Sequence, residues 1–480
     1  MTTRVGLVSI ALALVLGGCA APRGAPLAPS LAPRPGAGAP LTAIAAPGGD
    51  QALDIGSTTP RRWWEQFQCP ALDSLVTAAL GASEDIKVAD AALAQARELA
   101  GAAGSALGPQ VDASYQAQRA RTSASLAPPV TDSNQLLYSL HTAQVTVAYP
   151  IDVFGGLHAH RRSLAATMAA QRFRLLAARQ TLAANLVNAA ITRASLADQI
   201  GAMRQAIAAD RDILELLDRR QRLGAAGKAD VVTQQAALAT VEAGLPALVR
   251  GEVHQRALVA IYLGLAPGNP LPPLPALDCF HVPAHVPVSY PADVVRHRPD
   301  VMALEAQMTA AAADLRASFA ARFPAVTLTA NAGGTSQDVA RLFADGNPFW
   351  SIVGGVTGPL FHSGALLHQQ RAASAALDGA QAQYRAGVLQ AFADVSDSLT
   401  GLQTDADALA AATLAADASE TAYTFAHRQL ELGDIGTFAL LAAEVARQQA
   451  RLQLILSRTA RLSDTVALYQ ANGATIDGER

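Results

Sequence analysis

The sequence predicts a mostly helical protein with a membrane β component, organised as two internal repeats. Three observations predict it. Hydrophobic residues make up 51% of the chain while aromatics reach only 5%, and alanine dominates the apolar set. Small side chains at helical spacing suit close helix–helix contact rather than a bulky compact core. Two proline-free runs, 157–223 and 365–432, are far longer than an ordinary globular helix. Finally, a strand-plus-long-helix unit is written twice: Phe154 to Phe361 is a shift of 207 residues, and Gly227 to Gly433 one of 206.

Residues 1–18 read as an export signal. Arg4 supplies the positive start, and Val5 to Leu16 form an apolar stretch too short to span a bilayer. Leu16-Gly17-Gly18-Cys19 resembles a bacterial lipobox, which makes Cys19 the expected site of lipid attachment; by resemblance to lipoprotein sorting in enteric bacteria, Ala20 after it in place of an aspartate implies the outer membrane. Residues 19–57, rich in Ala, Pro and Gly, are expected to be a flexible tether. No later apolar stretch approaches 18 residues, so any crossing of a membrane must be made by strands closed into a barrel.

The first repeat spans 58–264 and the second 300–472, with an equatorial linker at 265–299 and a tail at 473–480. The first β-hairpin is expected at about 108–154. Val111, Ala113, Tyr115 and Ala117 alternate there with Asp112, Ser114, Gln116 and Gln118, the period of a strand with one apolar and one polar face. Val145, Val147, Tyr149, Ile151 and Val153 line the partner strand. The second hairpin, at about 323–362, carries Val326, Leu328 and Ala330 against Thr327, Thr329 and Asn331, with Phe349 to Val356 as its partner. Polar loops Thr122–Asn134 and Thr335–Asn347 join the pairs. Two hairpins leave unpaired edges, which hydrocarbon does not tolerate, so the barrel must close by oligomerisation.

After each hairpin, Gly155-Gly156 or Ser363-Gly364 releases the long helix, about 100 Å at 1.5 Å per residue. It turns at glycine, at tips near 224–230 and 432–436, and returns as a shorter helix, 231–263 or 437–470. The helices before the strands, 85–107 and 300–319, cover the rest of each long partner, so two short helices stack beside one long one. Pro246 predicts a local kink in the first returning helix.

The same residues carry a resemblance to a family. Trp63-Trp64-x-x-Phe67, Arg298-Pro299-Asp300-Val301 with Glu305, Phe323-Pro324, Asp152-Val153-Phe154-Gly155, and Trp350 with Pro359-Leu360-Phe361 and Gly364 resemble the TolC-like, NodT-type outer-membrane factors of tripartite efflux systems. That resemblance implies a homotrimer, with four strands from each chain in a twelve-stranded barrel continued by a long α-helical periplasmic barrel. It implies a passive exit duct for small molecules, with a periplasmic adaptor and an inner-membrane pump as partners and outer-membrane lipid as surroundings. Carried over by position, the adaptor-docking tips are Ala226, Gly227, Lys228, Leu432, Gly433 and Asp434, and Arg222, Asp230 and Arg428 are candidates for a gate. Many relatives carry aspartates just past the second tip, where this chain has Ala439 and Ala442; Glu444 or Asp434 are the remaining acids for an anionic ring. A structural coiled-coil lipoprotein and the duct of a type I secretion system are the competing readings.

Other chemistry finds little footing. A formal charge of −3 implies no affinity for nucleic acid. Gly224-x-x-Gly227-Lys228 lacks the spacing and the Ser or Thr of a phosphate loop, and no nucleophile elbow occurs, so no enzyme and no cofactor are expected. His158, His160, His362 and His368 cluster at the two strand exits, yet read as solvated or interfacial rather than as metal ligands. Arg161-Arg162 reads as a solvated or headgroup-facing helix start. Cys69 and Cys279 are either a disulfide or two buried thiols.

Overall fold

A computed structural model describes residues 51–121, 137–289 and 291–473. Cys19, the signal segment, most of the expected tether and the first hairpin loop lie outside the described residues.

Four strands form one antiparallel sheet in the order β2-β3-β5-β6: β2 Gln110–Arg121, β3 Leu137–Ile151, β5 Ala325–Ser336 and β6 Pro348–Thr357. The register places like with like. Val111 faces Val147, which faces Ala330, which faces Ile352; Tyr149 faces Leu328. A slip of one residue would turn every side chain over, so the matched apolar positions pin the pairing. One face thus carries Val111, Val147, Leu328 and Ile352, while Asp112, Thr146 and Asn331 occupy the other. Within the chain the apolar face is left open: Val111 and Ile352 are both 66% exposed and Trp350 76%. β2 and β6 are edges, each paired on one side only.

The helices follow the same left-to-right order. α3 (Gly156–Arg222) has 67 residues and α7 (Ala365–Leu432) 68. The short helices α2 (Glu84–Ser105) and α6 (Pro299–Ala320) have 22 residues each, and the returning helices α4 (Lys228–Tyr262) and α8 (Thr437–Ala471) have 35 each. α2 and α4 lie along α3, α6 and α8 along α7, and α3 also packs on α6 and α8. Buried alanines such as Ala183, Ala184, Ala190 and Ala194 line these contacts, as expected of small residues at close crossings. α4 continues unbroken through Pro246. Glycines in the left-handed region, Gly155 at φ +74° and Gly364 at φ +82°, cap the starts of α3 and α7. Asp152 finishes the first of these caps: its carboxylate accepts from the Leu157 and His158 N–H groups at 3.2 and 2.8 Å.

The main core sits at the equator, around α1 (Pro70–Ala82) and a 3₁₀ turn, Trp63–Phe67. Trp63 stacks on Tyr469 at 5.4 Å and meets Trp64 and Phe67 edge-on. Two sequence readings are resolved here. The stretch read as a tether through residue 57 ends in a strand, β1 (Ala52–Ile55), parallel to β4 (His285–Val288) of the linker. The linker itself holds β4 and α5 (Pro291–His297). The reason is a local tie: Asn472, at the end of α8, donates to the Pro287 carbonyl at 2.6 Å and accepts from Ser289 N–H at 3.4 Å. Cys69 and Cys279, left open between a pair and free thiols, form a disulfide with Cα atoms 5.3 Å apart across 210 residues. The beginning of the described chain, the linker and the end of α8 are thereby bound into one girdle.

Candidate functional site

The helix turns farthest from the sheet are built by the same device. Gly224 (φ +75°) follows α3, and the Ala225 N–H reaches back to the Arg220 carbonyl at 2.8 Å. Gly433 (φ +82°) follows α7, and the Asp434 N–H reaches back to Gln429 at 2.9 Å. Both are six-to-one closures that need a left-handed residue, which glycine supplies without strain. Beneath them Ile213, Leu217, Val231, Ala426, Leu430 and Leu440 form a small separate core, which holds the two hairpin ends together.

This geometry sorts the predicted tip residues. Gly227, Lys228, Leu432, Gly433 and Asp434 are exposed, while Ala226 is half-buried against the small core. The three gate candidates are not brought together. Asp230 accepts the Gly227 N–H at 3.0 Å and so acts as a helix cap. Arg222 donates to the Asp218 carbonyl at 3.3 Å. Arg428 lies on an exposed face of α7.

A buried polar layer behind the tips was not read from the sequence. Glu444 is fully buried, and Arg447 grips its two oxygens at 2.9 and 3.0 Å while Gln448 adds a third bond at 2.9 Å. The guanidinium lies 4.1 Å from the Tyr423 ring centroid on α7 and reaches Glu420 at 3.5 Å. Across a cleft of about 730 Å³ between α3, α4 and α8, Gln234 donates to both the backbone and the carboxylate of Asp210. Burial, then the neighbouring Glu444, pushes the Asp210 carboxyl above its usual range, against the Gln234 hydrogen bond. Glu444, considered above as a substitute for the missing aspartates, points into the helix bundle of its own chain and is satisfied there. The one sequence signal was an acid and a base three residues apart in an alanine-rich stretch.

Nearer the equator, Arg298 holds Asp300 through Nε (3.1 Å) and Nη2 (2.7 Å) and Asp394 of α7 through Nη1 (2.8 Å). The Arg298-Pro299-Asp300 signature is therefore a clamp between the start of α6 and α7. Beyond it, Asp464 on α8 lies against Gly401 and faces Asp405 on α7, whose Oδ2 is buried without a hydrogen-bond partner among the described residues. Burial, then the facing Asp464, pushes Asp405 up to about 6, with Arg461 opposing.

Among the described residues no group of three His, Cys, Asp or Glu side chains is placed to hold a metal. His158 is bound to Asp152 at 2.6 Å. No described helix is long and apolar enough to cross a membrane.

A family model described as outer membrane efflux protein matches residues 75–262 and 291–474. The chain belongs to that family. It resembles the pyoverdine export outer membrane protein OpmQ of Pseudomonas putida, 27% identical over 439 residues, which cover 90% of this chain and 93% of that one. It also resembles the toluene efflux pump outer membrane protein TtgC from another strain of Pseudomonas putida, at 27% identity over 88% of this chain and 87% of the relative. The fold matches the outer-membrane channel OprN with a TM-score of 0.82, at 24% identity over 87% of this chain and 93% of that one. As an outer membrane efflux protein, the chain is an exit duct in the outer membrane that extends into the periplasm. The family is one of channels and not of enzymes.

Proposed function

We propose that the chain works as a lipid-anchored homotrimer. In this reading three four-stranded sheets close a twelve-stranded barrel, and the helices continue it as a periplasmic tube built from a duplicated unit. One observation carries the proposal: the sheet has two unpaired edges and an open apolar face. β2 runs away from the helices and β6 toward them, so β6 of one copy meets β2 of the next as an antiparallel pair. The side-by-side order β2-β3-β5-β6 is repeated by α2-α3-α6-α7, so one rotation closes strands and helices together. Cys19 carries the lipid. The exposed tips at Gly227, Lys228, Leu432, Gly433 and Asp434 meet a periplasmic adaptor coupled to an inner-membrane pump, which supplies the energy and selects small organic cargo. The gate draws on Arg222, Asp230 and Arg428 contacting neighbouring copies.

Purified protein run unheated on a denaturing gel should migrate as a trimer and collapse to a monomer on boiling. In planar bilayers it should open discrete pores. A monomer that never conducts would overturn the duct and favour a structural lipoprotein. Deletion of the gene should sensitise cells to small organic toxicants, and Cys19→Ser should abolish incorporation of labelled palmitate.

A further inference from the structure

The junction between sheet and helices carries an uncompensated positive charge. α3 starts five residues after β3 ends at Ile151, and its first turns present His158, His160, Arg161 and Arg162. No acidic residue follows on α3 until Asp198, and none follows on α7 until Asp378, while Arg322, just before β5, and Arg371, after β6, add charge. Asp152, the carboxylate nearest to them in the chain, is already engaged by the α3 cap and by His158. Arg161 and Arg162 are exposed and make no hydrogen bond or ion pair among the described residues. The Arg161 Nε lies 3.9 Å from where a β carbon of Gly104 would stand, so the absent side chain leaves a shelf on α2 for the guanidinium.

Just above this charge the structure carries an aromatic rim. Phe154 stacks on Phe323 at 4.8 Å, Phe319 meets Phe323 at 5.2 Å, and Phe361 is 85% exposed. An aromatic girdle marks the depth at which hydrocarbon gives way to headgroups. Arg161 and Arg162 lie five and six residues into α3, about 8–9 Å along its axis, within reach of the headgroup layer for a side chain that extends its charged end.

We infer that Arg161 and Arg162, with the neighbouring Arg322 and Arg371, bind the headgroups of anionic phospholipids in the periplasm-facing leaflet. This rests on the proposed membrane placement of the sheet. The lipid phosphates neutralise a charge that the protein leaves unpaired, and fix the depth at which the barrel sits. A phosphate oxygen suits a guanidinium through paired N–H donors.

The test uses the full-length trimer in non-ionic detergent, exposed to equal amounts of dioleoyl phosphatidylglycerol and dioleoyl phosphatidylcholine and read by native mass spectrometry. Phosphatidylglycerol should be retained preferentially. Arg161→Gln/Arg162→Gln should weaken that preference by roughly five-fold per arginine, while Arg204→Gln/Arg250→Gln, an equal charge change far from the junction, should leave it intact. Equal retention of the two lipids, or a preference that survives in Arg161→Gln/Arg162→Gln, would overturn the inference. So would complete displacement of the lipid by inorganic phosphate but not by chloride of equal ionic strength, which would mark a free-phosphate site. Single-channel recording on the same sample separates the two levels: no pore sinks the duct itself, whereas pores without lipid preference sink only this inference.

Discussion

Arg447 and Glu444 sit one turn apart on α8 and are joined by two hydrogen bonds, 2.9 and 3.0 Å long, in a layer where Glu444 has no exposure to solvent. The pair locks α8 to α7, because the same guanidinium covers the Tyr423 ring. Removing one member leaves a buried charge without its partner, which costs more than the pair itself contributes. Arg447→Met is expected to destabilise the fold by about 3 kcal/mol, and Glu444→Gln/Arg447→Met to recover much of that loss. Denaturant unfolding of the four proteins in a double-mutant cycle checks it; additive losses would show that the two side chains are not coupled.

A second prediction concerns the strand exit. Asp152 accepts two backbone N–H groups of α3 and the His158 ring. Burial raises its carboxyl, but these bonds, led by the His158 N–H, hold it below the usual value. A depressed folded-state value means stability that is present above the unfolded value near 3.8 and lost as pH falls through the lower folded one. Asp152→Ala is expected to cost about 1 kcal/mol at neutral pH and to flatten the acid limb of the stability curve. An unchanged acid limb would show that the cap is not a source of pH dependence.

Much of this architecture was legible because it obeys simple periods. Alternation at Val111–Gln118 and Val326–Asn331 named the strands and their apolar face, and proline-free alanine runs named α3 and α7 to within a residue or two. What was not legible depends on contacts between distant segments. Nothing local marks Ala52–Ile55 as a strand; it is one because β4 and Asn472 lie beside it. Cys69 and Cys279 lack a spacing motif, and their pairing follows from the girdle that brings positions 210 apart in the chain back to one place. The tips were readable from Gly224 and Gly433. The inward turn of Glu444 was not, since helical phase is set by the whole bundle and not by one residue.

The girdle disulfide supports a third prediction. It closes a loop of 210 residues, and a crosslink of that length restricts the unfolded chain strongly. Cys69→Ser/Cys279→Ser is expected to lower stability by about 2–5 kcal/mol, with the main loss in the equatorial core around Trp63 and Tyr469. Intrinsic tryptophan fluorescence during thermal unfolding reads that core directly, because Trp63 and Trp64 are both buried there. A melting temperature unchanged by reduction would argue that packing alone holds the girdle.

The carboxylate pair at Asp405 and Asp464 yields the last prediction, in which the sign is opposite to that of Asp152. Burial and the facing Asp464 raise Asp405 to about 6, so the folded protein binds a proton that the unfolded chain releases near 3.8. The stabilising contribution is therefore fully present below pH 3.8, falls as pH rises through about 6, and is gone above it. The charged groups facing the pair are Arg461 of α8, which opposes the shift, and, from the clamp side, Arg298, Asp394 and Asp397, which line the same small cavity as Asp464. Because Asp405 is only partly buried, solvent screening limits the effect to about 1 kcal/mol. Asp405→Asn keeps the shape of the side chain and removes the second charge. It is expected to raise the melting temperature at pH 7.5 and to leave it nearly unchanged at pH 5, whereas Arg461→Met should do the reverse at neutral pH by unmasking the repulsion. Melting curves of the purified protein at the two pH values decide between this and a pair insulated by water, for which Asp405→Asn would shift both curves equally.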